Sequence, residues 1–155
     1  LDLGCGSAYF LTVCEALGHR GVGFDLDESP IYRDLISALG IHRIIGRIDP
    51  FQPVPGVDER FDLVTAFAIC FNNHNDPQPW DCPEWEYFLR DVASRLLKPD
   101  GRMVFKLNPR DGLTEEAAFY SPDLKKFFQR LGAKIDGPLI EFRRKPVLSK
   151  LGVAL

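Results

Sequence analysis

Phe61-Asp62-Leu63-Val64-Thr65-Ala66-Phe67 is a nearly continuous apolar run. It predicts a strand buried on both faces, since a strand with one wet face would alternate. Ahead of it the apolar residues recur at helical spacing instead. Phe10, Val13, Cys14 and Leu17 predict a first helix stopped by Gly18, and Ile31, Leu35, Ile36 and Leu39 predict the core-facing stripe of a second. Ser29 stands where a cap belongs, with Pro30 in the first turn and Gly40 at the end. Between these helices residues 21–24 read as a short strand ending in Asp25. A third strand over residues 42–48 runs into a proline-rich loop over residues 49–56.

Past Phe67 comes a polar stretch, residues 71–81, rich in asparagine, proline and aspartate. Trp85, Phe88, Leu89, Val92 and Leu96 then mark the apolar stripe of a helix over residues 83–97. Lys98-Pro99-Asp100-Gly101 is a turn by its residue types, and a fifth strand follows over residues 103–107. Ser121-Pro122 opens a last helix with Leu124, Phe127, Phe128 and Leu131 inward and Gly132 behind it. Residues 133–136 and 139–144 are short strands parted by Gly137-Pro138. Strands alternating with helices predict an α/β fold whose sheet is mainly parallel, with right-handed crossovers. The last two segments leave no room for a helix between them, so they are expected to pair antiparallel with a neighbour.

At 155 residues the chain has the length of one domain, residues 1–155, with one sizeable core. No apolar run approaches the roughly 20 residues of a membrane span, and no signal-peptide pattern occurs. Cys5, Cys14, Cys70 and Cys82 lack C-x-x-C spacing, so neither a zinc site nor a disulfide framework is indicated, and a cytoplasmic location is expected. A net charge of -3 provides no electrostatic footprint for nucleic acid. The short basic cluster Arg143, Arg144, Lys145 and Lys150 reads as a solvated strand edge that resists aggregation.

The candidate chemistry sits at the start, in Leu1-Asp2-Leu3-Gly4-Cys5-Gly6-Ser7-Ala8. An apolar strand end, an acid and a glycine-rich turn lead straight into a helix, whose unpaired N–H groups and positive dipole suit a nucleotide-like cofactor. The dinucleotide fingerprint needs a third glycine where this chain has Tyr9. A carboxylate at Asp2 would also repel a pyrophosphate while suiting a cationic ligand group. Asp25 ends the second strand about 20 residues after Gly6, the offset at which an acid accepts hydrogen bonds from ribose hydroxyls. Asp27 is read as a loop acid. Asp2, Asp25 and Asp49 thus fall at the ends of successive strands.

The opening segment resembles motif I of the class I S-adenosylmethionine-dependent methyltransferases, acid-x-Gly-x-Gly-x-Gly, matched by Asp2, Gly4 and Gly6 with Ala8 in place of the last glycine. The resemblance implies a Rossmann-like three-layer sandwich, with a mainly parallel seven-strand sheet and an antiparallel last strand. It implies S-adenosyl-L-methionine as cofactor, with Asp2 toward the methionine ammonium group and Gly4, Cys5 and Gly6 wrapping the methionyl part. Asp25 and Leu26 would meet the ribose, Asp49 the adenine amino group, Ile48 the ring face, and Phe67, with Ala68, the methionyl part again. Asp49 before Pro50 also reads as an ordinary turn aspartate. Asp62 matches a family Phe-Asp position that is structural. Only residues 1–3 of the first strand are present where about five are usual, so that strand is expected to be truncated and the family's upstream helix or lid to be missing.

Methyl transfer from a sulfonium is an in-line displacement in which the protein mainly supplies proximity and orientation. A base is needed where the acceptor is a hydroxyl or a carbon acid. His74, in the loop after the fourth strand, is the one candidate, against its reading as a loop histidine without a chemical task. Family members acting on nucleic-acid bases or glutamine carry Asn or Asp before Pro-Pro and an aromatic at this point. Here the chain reads Phe67-Ala68-Ile69-Cys70-Phe71, so a small or medium-sized molecule, methylated on oxygen or carbon, is the expected substrate, with no nucleic-acid or membrane partner. Asn72, Asn73 and Asn75 are candidate substrate contacts or turn formers, and Trp80, Trp85 and Tyr87 candidate walls of an apolar pocket. The alternatives are an NAD(P)-dependent Rossmann-fold oxidoreductase and a non-catalytic methyltransferase-like domain.

Overall fold

The computed structural model describes residues 1–68, 71, 79–108 and 121–147. Strands β1 (Asp2–Leu3), β2 (Gly23–Asp25), β3 (Arg43–Ile45), β4 (Phe61–Phe67), β5 (Leu97–Lys106), β6 (Lys134–Asp136) and β7 (Leu139–Phe142) form one sheet in the order β3-β2-β1-β4-β5-β7-β6. β3, β2, β1, β4 and β5 pair in parallel, while β7 pairs antiparallel with both β5 and β6. The sheet is the expected seven-strand mixed sheet. β6 and β7 pair as a hairpin because the two-residue Gly137-Pro138 turn leaves no room for a crossover, and β7 is the strand of the two that lies against β5.

Helices α1 (Tyr9–Ala16) and α2 (Pro30–Leu39) join β1, β2 and β3, while α3 (Cys82–Asp91) and α4 (Pro122–Arg130) serve the other half of the sheet. The chain moves outward from β1 in one direction and from β4 in the other, so right-handed crossovers put the two helix pairs on opposite faces. Two cores result. α3 and α4 bury Trp85, Phe88, Leu89, Leu124, Phe127 and Phe128 in the large one, against Val64, Ala66, Met103 and Phe105. Cys5, Ala8, Leu11, Ile36 and Ile41 form the small one under α1 and α2.

The helices over the large core follow the sequence reading. The stripe Trp85, Phe88, Leu89, Val92 and Leu96 is buried throughout, and Ser121 caps α4 by accepting from the Leu124 N–H at 3.1 Å. The helices over the small core do not. In α1 it is Leu11 that is buried, while Val13 and Leu17 are 56% and 71% exposed; in α2 Ile36 is buried but Ile31 is 69% exposed. Helices of two or three turns lying on two- and three-residue strands find little sheet to cover, so apolar spacing on them overstates the buried face. Ser29 occupies the cap position of α2 without a side-chain capping bond.

Residues 98–101 also differ from expectation. They form part of β5: Phe61 pairs with Leu97 but Leu63 pairs with Arg102, so Lys98 to Gly101 bulge out opposite Asp62 alone. Glycine suits this tight spot, because a Cβ on Gly101 would lie 3.0 Å from the Phe61 carbonyl oxygen and 3.1 Å from that of Lys98. Lys98 Nζ donates to Asp62 Oδ2 at 2.7 Å across the bulge, which holds the exposed Asp62 carboxyl below its ordinary range. Ahead of the bulge, α3 ends in a π-helical turn, Val92–Leu96. Lys145, read from sequence as part of a solvated basic edge, covers that turn by donating to the Ala93 and Leu97 carbonyls at 2.7 and 3.2 Å. Arg143 stays on the surface beside Glu141. No helix among the described residues is long and apolar enough to cross a membrane.

Candidate functional site

β1 stands at the point where strand order reverses, flanked by β2 and β4. Crevices at the carboxyl ends of strands beside such a reversal are where open α/β sheets bind ligands. Here the crevice is a cleft of about 690 Å³. Its lining includes Asp2, Gly4, Cys5, Gly6, Asp25, Leu26, Ile48, Asp49 and Phe67, so every described residue singled out from the sequence for the cofactor meets in one place. His74, Asn72, Asn73 and Asn75 lie outside the described residues.

The glycine turn is shaped by backbone. Gly4 and Gly6 take φ of 69° and 53°, a region open to glycine, and Ala8 at the third motif position takes φ 60° as well. The turn is tied down at both ends. The Gly4 N–H donates to the Phe24 carbonyl at 2.7 Å, and the Gly6 N–H donates to Asp25 Oδ2 at 2.6 Å. The other Asp25 oxygen accepts from the Leu26 N–H at 2.7 Å. Arg43, reaching from β3, bonds the Leu26 carbonyl and the Asp27 carboxylate, and Arg33 joins it there; the two guanidinium groups, Arg33 first, hold the Asp27 carboxyl below its ordinary range. Asp27 is thus an anchor for the end of β2.

Asp2 is only 4% exposed. Its Oδ1 accepts from Thr65 Oγ1 at 2.6 Å, across the β1–β4 pairing in which the two residues are register partners. Burial pushes its carboxyl up to about 6, against the opposing pull of the Thr65 hydrogen bond. Cys5 lines the cleft as a neutral thiol, pushed up to about 12 by burial, with Sγ packed beside Gly23. At the far end Asp49 is exposed and paired to Arg47 at 3.2 Å. From β3 to β4 the lining passes from charged to aromatic: Arg47 and Asp49, then Asp25, then Asp2, then Phe10, Phe67, Phe71 and Trp80.

The model of a family described as a methyltransferase domain matches residues 1–105. The chain belongs to that family. Its fold is shared by an O-methyltransferase family protein from Burkholderia thailandensis, at 17% identity over 94% of this chain and 50% of that one, with a TM-score of 0.59. The mitomycin 7-O-methyltransferase MmcR is 20% identical over 92% of this chain and 48% of its own, with a TM-score of 0.58. The glycopeptide N-methyltransferase MtfA, complexed with (S)-adenosyl-L-methionine, is 15% identical over 71% of this chain and 47% of its own, with a TM-score of 0.50. This methyltransferase domain therefore spans about half the length of those structures, and at these identities the likeness is one of fold. No curated protein matches the chain.

Sequence reasoning missed part of the cleft lining. Tyr9 and Tyr32 line it from the first turns of α1 and α2, both largely exposed, and an aromatic residue on the open turn of a helix beside a glycine loop was the available signal. Of the three candidate wall residues, Trp80 does line the cleft, stacked on Phe71 with ring centroids 4.3 Å apart. Trp85 is fully buried core, and Tyr87 meets Phe51 away from the cleft. Among the described residues no cluster of His, Cys, Asp and Glu could hold a metal ion.

Proposed function

We propose that this methyltransferase domain uses S-adenosyl-L-methionine to methylate a small or medium-sized molecule on oxygen or carbon, in the cytoplasm, as one domain over residues 1–155. The observation that carries this reading is the convergence of Asp2, Asp25 and Asp49 with the Gly4–Gly6 turn on one cleft. The donor set fits the cofactor and not a pyrophosphate. A buried carboxylate with one oxygen engaged by Thr65 favours a cationic group over an anionic one.

In this reading Asp2 holds the ammonium group, and the backbone of Gly4, Cys5 and Gly6 follows the methionyl part. Asp25 accepts from the ribose hydroxyls with the lone pairs that Gly6 and Leu26 leave over, since each carboxylate oxygen can accept more than one hydrogen bond. Asp49 accepts from the adenine amino group, and Ile48 backs the ring. The bound cofactor would supply a methyl group on a sulfonium leaving group. Phe67, Phe71 and Trp80 exclude water at the β4 end of the cleft, where attack needs a dry, oriented pair. His74 is the proposed base for an acceptor that must lose a proton.

Calorimetric titration with S-adenosylhomocysteine and, separately, with NAD tests the reading. Saturable binding of the homocysteine derivative alone supports it, and binding of NAD alone would overturn the cofactor assignment.

A further inference from the structure

The proline-rich loop after β3 carries Ile48 and Asp49 into the cleft, yet what fixes it lies on the far side, along α3. Tyr87 meets Phe51 edge-to-face at 6.2 Å. One helical turn further, Asp91 Oδ2 accepts from the Val54 N–H at 3.0 Å. In the π-helical turn beyond, Arg95 is bound by both Asp91 oxygens and donates to the carbonyls of Val54 at 2.9 Å and Val57 at 3.5 Å. The side chains of Val54 and Val57 are themselves buried in the main core.

Little slack separates this grip from Asp49. Pro50, Pro53 and Pro55 stiffen the connection, the Gln52 N–H donates back to the Asp49 carbonyl at 3.4 Å, and Phe51 is held at φ 58°. A bulky residue in left-handed backbone persists only where its surroundings over-determine it. We infer that Asp91 and Arg95 are positioning residues, whose clasp on Val54 and Val57 sets the place of Asp49 in the cleft and so the affinity for the adenine end of an adenosyl ligand. The second half of this inference rests on the cofactor reading above; the first half does not.

The test uses Arg95→Gln, with Arg95→Lys as the variant that keeps charge and fold but cannot span two carbonyls and a carboxylate with one planar group. Two readouts apply to the intact protein. In ligand-free protein, amide exchange at residues 48–52 should rise at least tenfold in either variant, while exchange in β4 is unchanged. In a titration with S-adenosylhomocysteine the dissociation constant should rise about tenfold, the scale of one lost positioning hydrogen bond. In an Asp49→Ala background the same substitutions should then cost less than twofold. Unchanged exchange at 48–52 overturns the clasp. Full additivity with Asp49→Ala overturns its route through Asp49, since only residues acting on one another show coupling. A wild-type protein that fails to bind S-adenosylhomocysteine sinks the cofactor reading instead, and the exchange result still decides the clasp.

Discussion

The Gly6 N–H and Asp25 Oδ2 are joined by a 2.6 Å hydrogen bond that ties the turn after β1 to the acid that ends β2. The acid proposed for the ribose is therefore also the residue that holds the glycine turn in shape, so ligand binding and loop geometry are coupled through one carboxylate.

Asp25→Ala should weaken S-adenosylhomocysteine binding by about 1–3 kcal/mol, the scale of losing a charged hydrogen-bond acceptor, and should also lower the melting temperature because the part-buried Gly6 and Leu26 N–H groups lose their partner. Calorimetry paired with thermal unfolding checks both effects. An unchanged affinity would remove Asp25 from the ribose role while leaving its structural one.

The Asp2 carboxyl, pushed up from 3.8 to about 6 by burial, has two opposite pH signatures. Its native state favours the protonated form, so the group's contribution to stability is full below 3.8 and is lost as pH rises through 6. A cationic ligand group needs the ionised form, so affinity for S-adenosylhomocysteine should fall as pH drops below 6. Asp2→Asn should unfold at higher temperature than the wild type at pH 8, bind more weakly there, and show a flatter pH profile of binding. Parallel titrations and melts across pH 5 to 8 measure all three.

Thr65→Val keeps the volume of a fully buried side chain but removes the donor to Asp2 Oδ1. The midpoint of the binding profile should move to higher pH, because the lost hydrogen bond favoured the ionised carboxylate. Thr65→Ser, which keeps the hydroxyl, should restore the wild-type midpoint. Identical midpoints for the valine variant and the wild type would show that Thr65 only packs.

Gly101→Ala forces a methyl group toward two backbone carbonyls in the β5 bulge, and should destabilise the fold by about 1–3 kcal/mol, as overpacking against atoms that cannot swing away does. Urea unfolding gives the difference directly. S-adenosylhomocysteine affinity of the folded variant should be unchanged, since the bulge lies outside the cleft lining.

Reading along the chain was enough to place the elements whose side chains face a large core, and Asp25 at the end of its strand, whereas Asp2 opens β1 and Asp49 lies in the loop beyond β3. β4 matches its predicted span, the stripes of α3 and α4 are buried as spaced, and Gly137-Pro138 enforces the β6–β7 hairpin. These are local statements, because a periodic apolar face or a turn residue constrains only its own neighbours in the chain. It takes the folded arrangement to make Leu11 rather than Val13 face inward, residues 98–101 bulge within a strand, Thr65 meet Asp2, and Arg95 grip Val54. Each of those depends on a partner contributed by a distant segment. Which carbonyl or carboxylate stands within hydrogen-bond reach is set by how the sheet brings strands together, and no spacing along one strand or helix carries that information.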